Sequence, residues 1–165
     1  MRTLYLLRHA KSSWKDDSLL DIERPLSGRG RRACETIGQL IRSEQIEFDL
    51  LLSSTAVRAR ETIERIRQQA KLRTELRFDE RIYEATASRL AEVISQIEND
   101  RKSVLLIGHN PGFEELLQLL TEEAQRMPTA CLAKIRLRIS KWSEVGENQG
   151  TLEWIVRPKE LASTE

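Results

Sequence analysis

A chain of 165 residues, 39% hydrophobic and 32% charged, has the size and balance of one globular domain with a full core. With 27 Lys+Arg against 26 Asp+Glu the net charge is only +1, so no overall field argues for nucleic acid or an anionic membrane, and any attraction for anions must be local. No apolar run approaches the roughly 20 residues of a membrane span and no signal-peptide pattern precedes the first strand, so a cytoplasmic protein is expected.

In chain order, Thr3-Leu4-Tyr5-Leu6-Leu7 opens the sequence with apolar residues that do not alternate, which predicts a strand buried on both faces, at the centre of a sheet. Arg8 and His9 follow directly, at the carboxyl end where open α/β sheets bind ligands. Lys11 to Arg24 is polar and aperiodic, with Trp14 and Lys15, and reads as a loop. Ser27 is a candidate N-cap for an amphipathic helix carrying Ala33, Ile37, Leu40 and Ile41 and ending about Ser43. Gly30 in its first turn costs helix stability, and either a close backbone approach or tolerance near a frayed end accounts for it. Asp49 to Ser53 is a second short strand, and Ser54 or Thr55 can cap the next helix, with Ala59, Ile63, Ile66 and Ala70 on its buried face.

Leu76 to Phe78 reads as a brief third strand, followed by Asp79 to Glu84 and a helix carrying Leu90, Ile94 and Ile97. Val104 to Ile107 is another two-sided strand, ending in Gly108-His109. Asn110-Pro111 then reads as N-cap and first residue of a helix through Phe113, Leu116, Leu117 and Leu120. The period changes after that. Cys131, Ala133, Ile135, Leu137 and Ile139 alternate with basic residues, and Leu152, Trp154 and Val156 alternate after a turn at Gly146 to Gly150, predicting half-buried antiparallel strands. The fold class is therefore α/β, a three-layer α/β/α sandwich with a mostly parallel central sheet and antiparallel C-terminal strands. Residues 1–157 form one domain and 158–165 a loose tail. Cys34, in a helix, and Cys131, in a strand, lack paired spacing and read as buried, unreactive thiols.

If the strands ending at Leu7, Leu52 and Ile107 are parallel neighbours with helical crossovers, their carboxyl ends share one edge. Arg8, His9, His109 and Arg58, in the first turn of the second helix, then converge. Two fixed positive charges beside two imidazoles suit a phosphoryl group better than a carboxylate, because an arginine fork can bind two oxygens while a histidine approaches phosphorus from the opposite side. A metal centre is not expected, since two histidines lack a third ligand at a recognisable spacing. No dinucleotide fingerprint or P-loop is present, and no cofactor is implied.

These residues resemble the histidine phosphatase (phosphoglycerate-mutase-like) superfamily. The Arg-His pair after the first strand is its hallmark; here it stands as Leu7-Arg8-His9-Ala10, with alanine in place of the usual glycine, as in the small SixA-like phosphohistidine phosphatases. Arg24-Pro25-Leu26-Ser27 with Gly30, the segment Ser53 to Thr62, and Gly108-His109-Asn110-Pro111-Gly112 are similar too. The resemblance implies a phosphoglycerate-mutase-like fold and a metal-independent phosphatase with His9 as nucleophile, forming a phosphohistidine intermediate, and Arg8, Arg58 and His109 holding the phosphoryl oxygens. Asn110 stands where the acid-phosphatase and phytase branch carries an acid, which sets this chain apart from that branch.

Ester hydrolysis would also need a general acid, since an alkoxide leaves poorly. Glu80 is the first candidate, because Glu80-Arg81-Ile82-Tyr83 resembles the mutase-branch segment that supplies one, and Glu84 is the second; either could equally be a solvated loop residue. The resemblance thus implies a phosphatase acting on phosphohistidine in a protein, with a small-molecule phosphomonoesterase or a phosphate-binding or phosphoprotein-binding module of little turnover as alternatives. Its partner is a phosphorylated protein or small phosphorylated compound, not nucleic acid or membrane. Oligomeric state is not encoded in any feature of the sequence.

Overall fold

The computed structural model describes residues 1–162. Its elements are β1 (Arg2–Arg8), α1 (Gly28–Ser43), β2 (Leu50–Ser53), α2 (Val57–Ala70), β3 (Leu76–Phe78), α3 (Ala87–Ser95), β4 (Ser103–Gly108), α4 (Gly112–Thr121), β5 (Leu132–Leu137), β6 (Gly150–Val156) and α5 (Pro158–Ala162), with 3-10 turns at Asp21–Glu23, Glu80–Ile82 and Trp142–Glu144. The strands form one sheet in the order β3-β2-β4-β1-β5-β6. β3, β2, β4 and β1 run parallel, while β5 and β6 extend the sheet antiparallel.

The unbroken apolar run of β1 now has its reason. Leu4 and Leu6 enter a core with Leu90, Ile94, Leu116, Leu117 and Leu120 of α3 and α4. Tyr5 and Leu7 enter the opposite core, with Cys34, Ile37 and Ile41 of α1 and Ala59, Ile63 and Ile66 of α2. Each face of the sheet is covered by a pair of helices, giving the three-layer α/β/α sandwich. None of the described helices is long and apolar enough to cross a membrane.

Gly30 is decided by contact. A Cβ there would lie 2.1 Å from the Lys11 carbonyl oxygen, so the loop leaving β1 runs against the first turn of α1 and only glycine admits it. Ser27 caps α1 as expected, accepting from the Gly30 amide at 3.1 Å.

Several boundaries differ from the sequence reading. The N-cap of α2 is Ala56, not Ser54 or Thr55, and the Ser54 hydroxyl is turned inward instead. The N-cap of α4 is Pro111, not Asn110: among the described residues the Asn110 side-chain oxygen accepts no hydrogen bond, while its Nδ2 donates to the Glu114 carboxylate at 2.9 Å and to the Met127 carbonyl at 2.8 Å. Cys131 precedes β5 by one residue and Ile139 lies beyond its end. Both cysteines are buried, and burial pushes each thiol up to about 12, leaving them protonated and inert. The loose tail expected from residue 158 is corrected over Pro158–Ala162, which form α5 after the Arg157 guanidinium is held by Gln125 and the Arg126 carbonyl. The rest of that expectation, residues 163–165, lies outside the described residues.

Candidate active site

The site is set by strand register. Arg8 of β1 lies opposite Gly108 of β4, and the His9 amide donates to the Gly108 carbonyl at 3.0 Å, so the residues that follow the two strands emerge side by side. The His9 and His109 ring centroids are 5.1 Å apart. On the other side of β4, the Ser54 amide donates to the Ile107 carbonyl at 3.0 Å, which brings the start of α2 to the same edge. Arg8, His9, Arg58 and His109 therefore meet in one pocket of about 240 Å³, which Lys11, Trp14, Arg24 and Asn110 also line.

His9 is oriented by its own loop. Its Nδ1 lies 2.7 Å from the Ala10 carbonyl oxygen. A carbonyl can only accept, so Nδ1 carries the proton and the lone pair resides on Nε2. The Ala10 peptide is itself pinned: its amide donates to the Thr62 hydroxyl at 3.0 Å, which donates onward to the Arg58 carbonyl at 2.7 Å. Burial, then the positive neighbours His109, Arg58 and Arg8, hold His9 down to about 3, against the opposing pull of the Ala10 carbonyl.

His109 Nε2 is 2.8 Å from the Ser54 hydroxyl, which accepts from the Ala56 amide at 3.2 Å and keeps its own proton to donate, and among the described residues His109 Nδ1 has no hydrogen-bond partner. Burial and then Arg58 hold it down to about 4. Both imidazoles are neutral at neutral pH.

Arg58 is buried and grips one residue twice, donating to the Asp21 carbonyl at 2.7 Å and its carboxylate at 3.0 Å. The same carboxylate takes Arg24 Nε at 3.1 Å and the Tyr83 hydroxyl. The Tyr83 hydroxyl, more than the two guanidiniums, holds Asp21 down to about 2, while burial and then Asp21 push Tyr83 up to about 12. Arg24 reaches the Ser12 hydroxyl at 2.6 Å and stacks 3.5 Å over the Trp14 ring. Arg8 donates to the Met127 carbonyl at 3.1 Å, and the Nε atoms of Arg8 and Arg58 have no protein partner.

The structure thus brings together Arg8, His9, Arg58 and His109, but not Glu80. Burying Ile82 in the core and turning Tyr83 edge-on to His109, 5.3 Å between centroids, leaves Glu80 and Glu84 exposed to solvent, and neither lines the pocket. Tyr83 is the residue of that segment that faces the site. Asp21 was not foreseen either; its spacing of three from Arg24 is the one local hint. Among the described residues no three His, Cys, Asp or Glu side chains gather to hold a metal ion.

Two buried neutral imidazoles make stability depend on pH. Their folded pKa values lie below the unfolded value of about 6.5, so below that pH the unfolded chain binds more protons. Their contribution is complete above pH ~6.5 and is lost as pH falls toward 4 and then 3, on the order of several kcal/mol in total. Urea midpoints measured from pH 8 to pH 4 should fall accordingly, and the acid limb should flatten in His9→Gln/His109→Gln. A wild-type profile no steeper than the variant's would contradict these protonation states.

The model for the histidine phosphatase superfamily (branch 1) matches residues 4–85. An uncharacterized chloroplastic protein of Arabidopsis thaliana is 32% identical over 170 residues, covering 95% of this chain and 78% of that one. An uncharacterized protein of Mycobacterium tuberculosis is 31% identical over 150 residues, covering 84% and 91%. Among solved structures, a protein assigned as phosphohistidine phosphatase SixA from Agrobacterium tumefaciens superposes with a TM-score of 0.82 at 27% identity, over 95% of this chain and 98% of that one. The protein histidine phosphatase SixA complexed with tungstate gives 0.83 at 21% identity over 96% and 99%, a likeness of fold alone.

Proposed function

Because the chain belongs to the histidine phosphatase superfamily, branch 1, and to its SixA-like side, we propose that it dephosphorylates phosphohistidine in a protein, with His9 as the nucleophile. The enzyme is of the histidine phosphatase type. The observation that carries the reading is the 2.7 Å contact between His9 Nδ1 and the Ala10 carbonyl, which leaves Nε2 unprotonated in a pocket with Arg8, Arg58 and His109. A module that merely bound phosphate would have no use for an aligned, neutral imidazole.

His9 Nε2 attacks phosphorus in line with the leaving nitrogen. The phosphorus–nitrogen bond of the substrate breaks as the bond to Nε2 forms, and the substrate imidazole departs neutral, its other nitrogen having carried a proton. Arg8, Arg58 and the Nδ1–H of His109, whose Nε2 then accepts from the Ser54 hydroxyl, stabilise the equatorial oxygens. Water then attacks phosphorus, one of its protons goes to the departing phosphate, and His9 returns neutral.

Among the described residues no carboxylate lines the pocket, and this supports an imidazole over an alkoxide as leaving group. The wild-type kcat/KM for a phosphohistidine peptide should exceed that for glycerol phosphate by at least about 10²-fold, the usual worth of a general acid. Glu80→Gln and Glu84→Gln should leave both substrates within about threefold, as exposed substitutions do. A preference for the ester, or an ester-specific collapse in Glu80→Gln, would move the reading to a small-molecule phosphomonoesterase.

A further inference from the structure

Beside the active-site pocket lies a larger groove of about 460 Å³, between the first turns of α1 and the chain around α5. The two adjoin, since Lys11 and Thr129 line both. The groove is bordered by Lys11, Arg29, Arg32, Arg157 and Lys159, with Glu160 as the single acid among the described residues. Arg157 is committed, pairing with Glu160 at 3.4 Å and donating to the Arg126 carbonyl at 3.0 Å. Among the described residues Lys11, Arg29, Arg32 and Lys159 pair with no carboxylate. Its lining also includes the apolar side chains of Ala33, Pro128 and Pro158.

In a chain of net charge +1, unpaired cations concentrated along one groove that adjoins the reaction pocket are a local field of one sign. Whatever lies there is joined to the phosphoryl group or adjacent to it. A nucleotide would call for an aromatic ring against its base, and the groove has none. Apolar side chains and unpaired cations lining the same groove fit an extended polypeptide that lays small apolar side chains against the former and presents carboxylates to the latter.

We propose that this groove docks an acidic segment of the phosphoprotein, next to the phosphohistidine that enters the pocket; the inference rests on the phosphohistidine reading above. Lys11, Arg29, Arg32 and Lys159 select the substrate by charge, and the reacting groups act on whatever phosphoryl group is delivered. Discrimination then appears in KM and in salt dependence, not in the rate of transfer.

The test uses the full chain and two synthetic peptides, each bearing one phosphohistidine, flanked by glutamates in one and glutamines in the other, with free phosphohistidine as reference. At low salt the acidic peptide should have about tenfold higher kcat/KM, carried by KM, and high salt should erase the difference. In Arg29→Gln/Arg32→Gln, both exposed positions outside the reaction pocket, the preference should vanish while free phosphohistidine is turned over as before. No wild-type preference, or one that survives in the variant, overturns the docking site; equal losses on free phosphohistidine overturn it also. Fluorescence anisotropy of the same peptides without phosphate, labelled at one end, keeps the outcome separate from catalysis. Tighter binding of the acidic peptide, lost in the variant, supports the groove even if phosphohistidine proves not to be the substrate. A small polyanion such as tripolyphosphate displacing nothing supports the peptide, whereas full displacement with no peptide discrimination would assign the groove to small anions and overturn the proposal.

Discussion

Turnover should fall by on the order of 10⁴-fold or more when His9 is replaced by alanine, because a nucleophile that carries the covalent intermediate has no partial substitute. Rapid quench with labelled substrate should trap a base-stable, acid-labile phosphoenzyme in the wild type and none in His9→Ala. The chain has two histidines, so His109 is the other imidazole that could be phosphorylated. Its Nε2 is committed to Ser54 at 2.8 Å, whereas among the described residues Nε2 of His9 makes no hydrogen bond, which is why the proposed adduct is placed on His9. His109→Ala should slow formation of the adduct but retain it. His9→Gln, which fills more of the buried space, guards against a folding defect. An adduct of undiminished yield in both His9 variants would remove this residue from its role.

Arg58→Ala should cost about 10³-fold to 10⁵-fold in kcat, the range for an arginine that meets the charge of a phosphoryl transition state. Arg58→Lys should recover little, since an ammonium cannot reproduce a planar fork. In the resting site the fork is spent on Asp21, through 2.7 Å and 3.0 Å contacts. Asp21→Asn should therefore lose less than Arg58→Ala, because it removes the carboxylate that aims the guanidinium and leaves the charge in place. Inhibition by tungstate provides the second measurement: its affinity should drop in Arg58→Ala by a factor comparable to the kinetic loss. Turnover within tenfold of wild type would show that Arg8 and His109 suffice and that Arg58 is an anchor for the Asp21 loop.

The parallel strands and the four converging residues were legible because two local signals coincide. Leu4 to Leu7 and Val104 to Ile107 are apolar without alternation, as strands covered on both faces must be, and each runs straight into a histidine. What escaped the sequence depends on where side chains go after the chain returns. Ser54 has the composition of a helix cap, but its hydroxyl faces His109, and Asn110 likewise spends its amide on Glu114 and Met127. Asp21 lies in a polar loop with no period to read, and its function as the hub of Arg24, Arg58 and Tyr83 joins three distant segments. Glu80 was favoured through local similarity, yet the burial of Ile82 decides which side of that turn meets solvent.

The strand order also fixes when the site can come into being. β4 is hydrogen-bonded to β1 on one side and to β2 on the other, although the chain reaches it only at residue 103. Before then β1 and β2 share no ladder, each presents an open apolar edge, and His9 has no Gly108 carbonyl to fix its backbone. Insertion of this strand pairs Thr3 with Ser103 and Leu50 with Val104, contacts far apart in sequence and of the slow kind in folding. Recovery of activity after dilution from denaturant should thus trail the recovery of helical signal. A nascent or truncated chain ending before residue 103 lacks both β4 and His109 and is exposed to mispairing, so the strand that joins β1 to β2 is also the one that brings the two imidazoles together.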